Sequence, residues 1–428
     1  MTTIESTDRA VNSISGRRMV ELVRTRCGDD LARDVEVVGR VLPFKVSAHV
    51  VENLIDWHAA PEDPLYRLLF PHRDMLTAAD FGLVERALGE PARLRQVVAD
   101  VRSRLNPHPG GQLTRNVPQD QSGLQHKYAE TVLVFPRQGQ TCHSYCAYCF
   151  RWAQFIGEPG LKLAVDGPEE MSAYLRDHRE VTDVLLTGGD PLIMKTDRLA
   201  QYVNALLRPG LEHIRTIRIG TKALSFHPAR VAGGADAAEL LRLAESVVDS
   251  GRQLAFMLHF SHPRELEPEL TRTALRLLRD TGAQLRSQAP VVRHVNDDAA
   301  IWARMWTNQV NAGIHPYYMF VERDTGAQHY FGLPLTRAHE IYRDAISQVS
   351  GLARTARGPV MSATPGKVVI NGVVDLPHGR AFALHFLQAR DPALVGRPFH
   401  AKWDPAAQWW DELVPLGSND KTFIEENS

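Results

Sequence analysis

The chain has 428 residues, and its Lys+Arg 49 against Asp+Glu 50 leave a formal charge of −1. Domains of roughly 150 residues would give two or three units; 44% hydrophobic residues exclude a disordered or collagen-like chain, and balanced charge lacks the basic footprint of a nucleic-acid binder. Four cysteines are too few for a disulfide scaffold, no stretch reaches the ~20 apolar residues of a membrane helix, and the polar N-terminus lacks a signal-peptide core, so a soluble cytoplasmic protein is expected.

Residues 1–122 read as a helical region and linker. Apolar residues recur at three- and four-residue spacing in Met19–Arg26, Ala48–His58 and Ala78–Leu88, punctuated by Pro43, Pro61, Pro64 and Pro71. The polar stretch Asn106–Gly123 follows as a linker or a strap across the next unit.

From 123 to 350 the pattern changes. Short apolar or β-branched runs (Thr131–Phe135, Asp183–Thr187, Thr216–Thr221, Leu254–Phe260, Ala283–Gln288 and His315–Val321) alternate with amphipathic runs such as EEMSAYLRDH, DRLAQYVNALL, AAELLRLAESVVDS, ELTRTALRLLRD and DAAIWARMWTNQV. Strand-then-helix units of this kind imply a parallel sheet with right-handed crossovers. Six units fall short of a closed eight-fold barrel, so the expected fold is α/β, an open partial (β/α)6 barrel with functional groups at the C-terminal strand ends. The segment 351–428 reads as a small C-terminal cap. Its KVVINGVVDL stretch is a hairpin signal, with Asn371-Gly372 as the turn.

The sharpest feature is TCHSYCAYCFRW, which sets Cys142, Cys146 and Cys149 in a C-x3-C-x2-C loop directly after the first strand of the α/β region. A zinc ribbon needs a fourth ligand, usually from a second paired motif, and no cysteine follows. A redox motif would be one C-x-x-C pair beside a thioredoxin-like pattern. Iron–sulfur clusters ordinarily take four thiolates, whereas three leave one iron open to a substrate or cofactor. Cys27 is a conceivable fourth ligand but lies in a separate, charged helical segment.

At these residues the chain resembles the radical S-adenosylmethionine (SAM) enzymes. The resemblance implies a [4Fe–4S] cluster on Cys142, Cys146 and Cys149, whose open iron chelates SAM, and reductive cleavage of SAM to a 5′-deoxyadenosyl radical. A one-electron reductant such as flavodoxin or ferredoxin would supply the electron. TGGDP (Thr187–Pro191) is similar to the family's turn that meets the SAM amino group, implicating Gly188, Gly189 and Asp190: glycines permit close backbone approach and a carboxylate accepts from an ammonium. IRIGTKA, with Thr221, resembles the adenosyl-lining segment. QLRSQAPVVRHVND resembles the fifth-strand motif, in which Ser287 and Gln288 would face SAM.

Within that superfamily the segment from Leu42 to Val373 is most similar to the lysine 2,3-aminomutase family, through LPFKVSAHVVENLID, HKY, CFR, LLTGGDPL, LHFSHP, HPYYMFV and PGK. The resemblance implies pyridoxal phosphate (PLP), a small amino-acid substrate and migration of its amino group from the α to the β carbon. It gives Lys367 as the lysine that bonds PLP, Tyr128 as the aromatic beside its ring, Lys127 as a nearby cation and His259 as a cofactor-site wall. Arg151 matches the arginine that takes the substrate carboxylate, a task suited to a guanidinium fork. Relatives assemble as homo-oligomers, and no metal is expected on His259 and His262.

Three departures stand out. Thr131 occupies a position where the family carries an arginine for the PLP phosphate, and the glycine-rich loop before the lysine is cut to Pro365-Gly366-Lys367. The two aspartates that hold a distal ammonium in lysine-specific members match Arg323 (with Glu322 and Asp324 adjacent) and Ser362, which suit an anionic or neutral polar group. Three functions therefore stand side by side: a 2,3-aminomutase not specific for lysine, a PLP-independent radical SAM enzyme acting on a small polar metabolite, and an iron–sulfur regulatory module.

Overall fold

The computed structural model of the chain describes residues 13–111, 116–118, 123–157, 160, 163–377 and 379–424; part of the expected linker thus lies outside the described residues. Strands β1 (Ile14–Ser15) and β2 (Lys45–Val46) pair as a short antiparallel ribbon beside the N-terminal helices. Helices over Arg17–Cys27 and Ala78–Ala87 match the periodicity, while the one beginning at Ala48 stops at Asn53. Further helices cover Asp29–Val41, Pro64–Leu69 and Pro91–Arg104. Pro64, read as punctuation, is a helix start: it occupies the first turn, where its missing N–H costs nothing, and Asp63 caps it by accepting from the Tyr66 N–H.

The remaining strands form one sheet of 11 strands in the order β13-β12-β11-β10-β9-β8-β7-β6-β5-β4-β3. All six expected strands are present as β4 (Thr131–Val134), β5 (Asp183–Leu186), β6 (Thr216–Thr221), β7 (Gln253–His259), β8 (Gln284–Val291) and β9 (His315–Val321), each parallel to the next. The five amphipathic runs are the helices Pro168–Asp177, Thr196–Leu206, Ala237–Asp249, Glu269–Asp280 and Ala299–Asn311. Their apolar stripes cover one face of the sheet, where Val132, Val184, Ile217, Phe256, Leu258 and Leu285 are almost wholly buried.

The sheet extends beyond those six strands. At one end β3 (Leu124–Tyr128) pairs antiparallel with β4. At the other, β10 (Arg357–Ser362) adds in parallel, followed antiparallel by β11 (Gly366–Leu376), β12 (Gly379–Ala389) and β13 (Pro398–Lys402). Asn371-Gly372 is not the hairpin turn. β11 runs straight through it with a register shift between Ile370 and Gly372, and the chain reverses only between Leu376 and Gly379. Gly372 is needed there as a bulge, since its φ is 140° and a Cβ would press on the His339 ring. No helix among the described residues is long and apolar enough to cross a membrane.

Candidate active site

The sheet face opposite the crossover helices lines a cavity of about 820 Å³. Side chains alternate along a strand, and the inward set is Thr131 and Leu133, Asp183 and Leu185, Arg218 and Gly220, Met257 and His259, Arg286 and Gln288. The C-terminal strands close it with Arg357, Ser362, Lys367, Gln388 and Arg390. Arg218, Arg286 and Arg357 were not anticipated as site residues. For Arg218 and Arg286 the signal is nonetheless present: a charged residue within a strand of a parallel sheet, whose faces are both normally covered, marks the face toward a cavity.

Cys142, Cys146 and Cys149 line one end of this cavity as free thiols. Burial raises all three thiols, Cys146 to about 12 and Cys149 to about 11, so the thiolates need a positive partner. This donor set fits an iron–sulfur cluster. The loop is stitched to the N-terminal region: Tyr145 N–H donates to the Lys45 carbonyl (2.8 Å), Ala147 N–H to that of Leu68 (2.8 Å), Ser47 N–H to Ser144 Oγ (2.9 Å) and Lys45 Nζ to Thr141 Oγ1 (2.9 Å). Cys27, at the end of the helix Arg17–Cys27, is not among the residues that line this cavity.

The Gly188-Gly189-Asp190 turn lies against the start of the cysteine loop. Asp190 N–H donates to the Thr141 carbonyl at 2.8 Å, and a Cβ on Gly189 would stand 2.3 Å from that same oxygen. Gly188, with φ 137°, has no room either, because Gln140 crowds it. Asp190 is buried and its carboxyl is raised to about 6 by that burial, although Thr221 Oγ1 and the N–H groups of Leu192 and Lys222 all donate to it. Its carboxylate ties the ends of β5 and β6 together beside the loop.

A second buried network was not anticipated. Lys222 Nζ pairs with Glu265 Oε1 at 2.6 Å and donates to Ser261 Oγ and the His259 carbonyl. Tyr148, within the cysteine loop, shares hydrogen bonds with His259 Nε2 (2.9 Å) and Ser261 Oγ (2.8 Å). Burial and Lys222 hold His259 well below the usual imidazole range, so it is a neutral wall of the cavity. His262 instead caps the turn that begins at Pro263.

Lys367 reaches the other end of the cavity from β11. Its Nζ lies 5.0 Å from the Tyr128 ring centre and 5.3 Å from that of Tyr318, and donates to Gln388 Oε1 at 2.6 Å. Burial, with Arg218 and Arg357 nearby, lowers it to about 7, so much of it is a free amine near neutral pH. The shortened loop is now explained: Lys367 sits on a strand opposite Gln388, and Gly366 allows it, since a Cβ there would meet the Gln388 carbonyl at 2.1 Å. Thr131 donates to Asp183, which Arg218 clasps with two parallel hydrogen bonds from Nε and Nη2. Arg286 and Arg357 lie over the Tyr317 ring at 5.3 and 4.6 Å. The Tyr128 hydroxyl is buried without a partner. A nucleophilic amine, two aromatic rings and surplus guanidinium charge fit an anionic aromatic aldehyde.

Between the two ends, Arg151 is buried over the Phe135 and Phe150 rings at 4.4 and 5.0 Å. Burial lowers it to about 10, the cost of a cation desolvated there. Lys127 Nζ donates to Ser362 Oγ (3.1 Å) and Arg323 Nη1 to the Ser362 carbonyl (3.2 Å), so these three expected residues meet. Two others do not join them. Asp324 is outside the cavity lining and accepts from Asn106 Nδ2 through both its carbonyl and its carboxylate. Ser287 accepts from Gln309 Nε2 at 3.0 Å behind the sheet, because strand alternation turns it away from its cavity-lining neighbours Arg286 and Gln288.

A putative L-lysine 2,3-aminomutase of Aquifex aeolicus is 31% identical to the chain over 393 residues, 92% of this chain and 93% of that protein. L-lysine 2,3-aminomutases of Clostridium subterminale and Escherichia coli are 30% and 31% identical over 54% of this chain, and the matches span 51% and 63% of those proteins. Among solved structures, a radical SAM methyltransferase from Sphaerobacter thermophilus aligns with a TM-score of 0.39 and 17% identity over 55% of this chain and 68% of that one. No family model matches.

Proposed function

Because the chain belongs to the lysine 2,3-aminomutase family of radical SAM enzymes, we propose that it is an isomerase that moves the amino group of a small amino acid other than lysine. When bound, a [4Fe–4S] cluster with SAM supplies a carbon radical that removes an unactivated hydrogen, and PLP supplies an electron-accepting partner for the migrating nitrogen. The partial barrel of six parallel strands, a helical region before it and a C-terminal region after it are part of this reading.

Each residue has a task in it. Cys142, Cys146 and Cys149 hold the cluster. Gly188, Gly189, Asp190, Thr221 and Gln288 shape the SAM side, with His259 as a neutral wall. Lys367 presents its amine to PLP beside Tyr128, and Arg286 and Arg357 supply the phosphate charge absent at Thr131. Arg151, buried with aromatic rings for neighbours, binds the substrate carboxylate by two parallel hydrogen bonds. Arg323 with Ser362 faces the distal group and selects an anionic or neutral polar one. A small one-electron donor such as flavodoxin or ferredoxin reduces the cluster, and a homo-oligomer is the expected assembly.

The observation that carries this reading is Lys367, a buried amine lowered to about 7 between two tyrosines and near the Arg218 and Arg357 guanidinium groups. The test is anaerobic reconstitution with iron and sulfide, titration with PLP and borohydride reduction. The expected result is a trapped adduct on Lys367, with acidic amino acids turned over at least about tenfold faster than lysine, the least that a misplaced charge beside Arg323 would cost. Equal turnover would overturn the specificity. SAM cleavage without any adduct would favour PLP-independent chemistry, consistent with Thr131 bracing Asp183 instead of carrying a charge.

A further inference from the structure

Away from the cavity, one group of three side chains among the described residues brings its His, Cys, Asp or Glu ligand atoms within 4.8 Å of one another: His126, His178 and Glu180. We propose that these residues form a site for a single divalent transition-metal ion of the zinc class. Bonds of about 2 Å in a tetrahedral site would draw these atoms to about 3.3 Å from one another.

The nitrogen chemistry is already arranged for it. His126 sits on β3, and its Nε2 lies 3.0 Å from the Ala129 carbonyl. A carbonyl only accepts, so that nitrogen carries the hydrogen and Nδ1 keeps its lone pair. Nδ1 now meets the Tyr174 hydroxyl at 2.7 Å. A metal-bound imidazole normally donates its other N–H to a carbonyl or carboxylate in this way, which fixes ring and tautomer together. His178 directly follows the helix Pro168–Asp177, and its Nδ1 is 2.9 Å from Glu180 Oε1. A metal ion would take the place of the proton those two atoms share. The ring of Tyr174, one turn earlier, stacks on His178 at 4.1 Å, and the His126 and His178 rings meet edge to face at 5.2 Å.

Two imidazoles and a carboxylate favour zinc, cobalt, nickel or copper over magnesium or calcium, which prefer oxygen throughout. His178 and Glu180 are 34% and 50% exposed, so an ion reaches them without opening the fold. The site also has a structural consequence. Strand alternation sends His126 to the outer side while Gln125 and Lys127 line the cavity, and β3 is an edge strand held by β4 alone within the sheet. A bound ion would join that edge to the helix Pro168–Asp177.

The test uses cluster-loaded protein, so that the thiols are already occupied. It is equilibrated with Zn²⁺, freed of excess and assayed for zinc and iron, with affinity read by competition against a chromogenic chelator. One zinc per chain with undiminished iron is expected, together with a zinc-dependent rise in melting temperature. His178→Ala should weaken binding by at least about tenfold and abolish the rise, as loss of a ligand must exceed loss of its supporting shell. His178→Cys should restore both. Zinc held equally by wild type and His178→Ala, zinc gained only as iron is lost, or no zinc retained by wild type would each overturn the site.

Discussion

Lys367 shows how one side chain is tuned by its neighbours. Gln388 stands between it and Glu130: Gln388 Nε2 donates to Glu130 Oε1 at 2.8 Å, and because a carboxylate only accepts, the Gln388 carbonyl must face the amine. Burial dominates the lowering of Lys367; Arg218 and Arg357 add to it and Glu130 opposes it. In the unfolded chain the amine keeps its proton to about its ordinary 10.5, while in the fold it releases it near 7. The unfolded state therefore binds more protons between those values, so this group's contribution to stability rises with pH across that window and is least favourable below it. The rate of adduct formation with saturating PLP should accordingly rise with pH to a midpoint near 7 in wild type. Glu130→Gln should move the midpoint down and Arg357→Gln up. Midpoints that stay together, read by absorbance across a pH series, would show that these charges do not set the amine.

At the scale of elements, the cysteine loop is held from two sides, by the β2 segment and by the turn after β5. Gly189 is where the second contact is closest, since the Thr141 backbone fills the space of a Cβ. Gly189→Ala must push the start of the loop away, an overpacking cost of about 1–3 kcal/mol that falls on the cluster's own support. Reconstituted Gly189→Ala should bind less iron per chain and melt lower than wild type. Gly39→Ala, in the helix Asp29–Val41 with open space around the added methyl, should do neither. Equal iron in the two variants would separate the turn from the cluster. Much of this level was legible: three cysteines, two glycines and an acid are marked by residue type, and strands β4 to β9 by apolar periodicity between helices. What sequence periodicity could not reveal was direction and partnership. Asn371-Gly372 has the composition of a turn, yet tertiary pairing with β12 makes it a bulge. Ser287 and Arg286 are adjacent letters, and only the register of β8 decides which of them faces the cavity.

For the whole molecule the relevant quantity is where charge is placed. The chain's formal charge is −1, yet Lys127, Arg151, Arg218, Lys222, Arg286, Arg323, Arg357, Lys367 and Arg390 line one cavity against Glu130, Asp183, Asp190 and Glu322. Arg218 is paired with Asp183, Lys222 with Glu265 and, at longer range, Arg323 with Asp324. Much of the remainder is held under mutual repulsion: Lys127, lowered first by burial, is lowered further by Lys367, Arg323, Arg151 and Arg390. A neutral protein with a cationic interior is suited to ligands that carry anions at both ends, as a PLP phosphate and a substrate with two acidic groups would. Such a ligand relieves repulsion in the folded state alone, so it must stabilise the fold by linkage, about 2.7 kcal/mol at a hundred times its dissociation constant. Thermal unfolding of the cluster-loaded protein should therefore shift upward with inorganic pyrophosphate. Sodium chloride at matched ionic strength should do much less, because buried charges are poorly screened. Arg286→Gln combined with Arg357→Gln should remove most of the pyrophosphate shift while leaving the iron content intact. A shift of equal size with sodium chloride, or one indifferent to the double substitution, would place the effect on the outer surface and leave the cavity's charge without an anionic ligand to explain it.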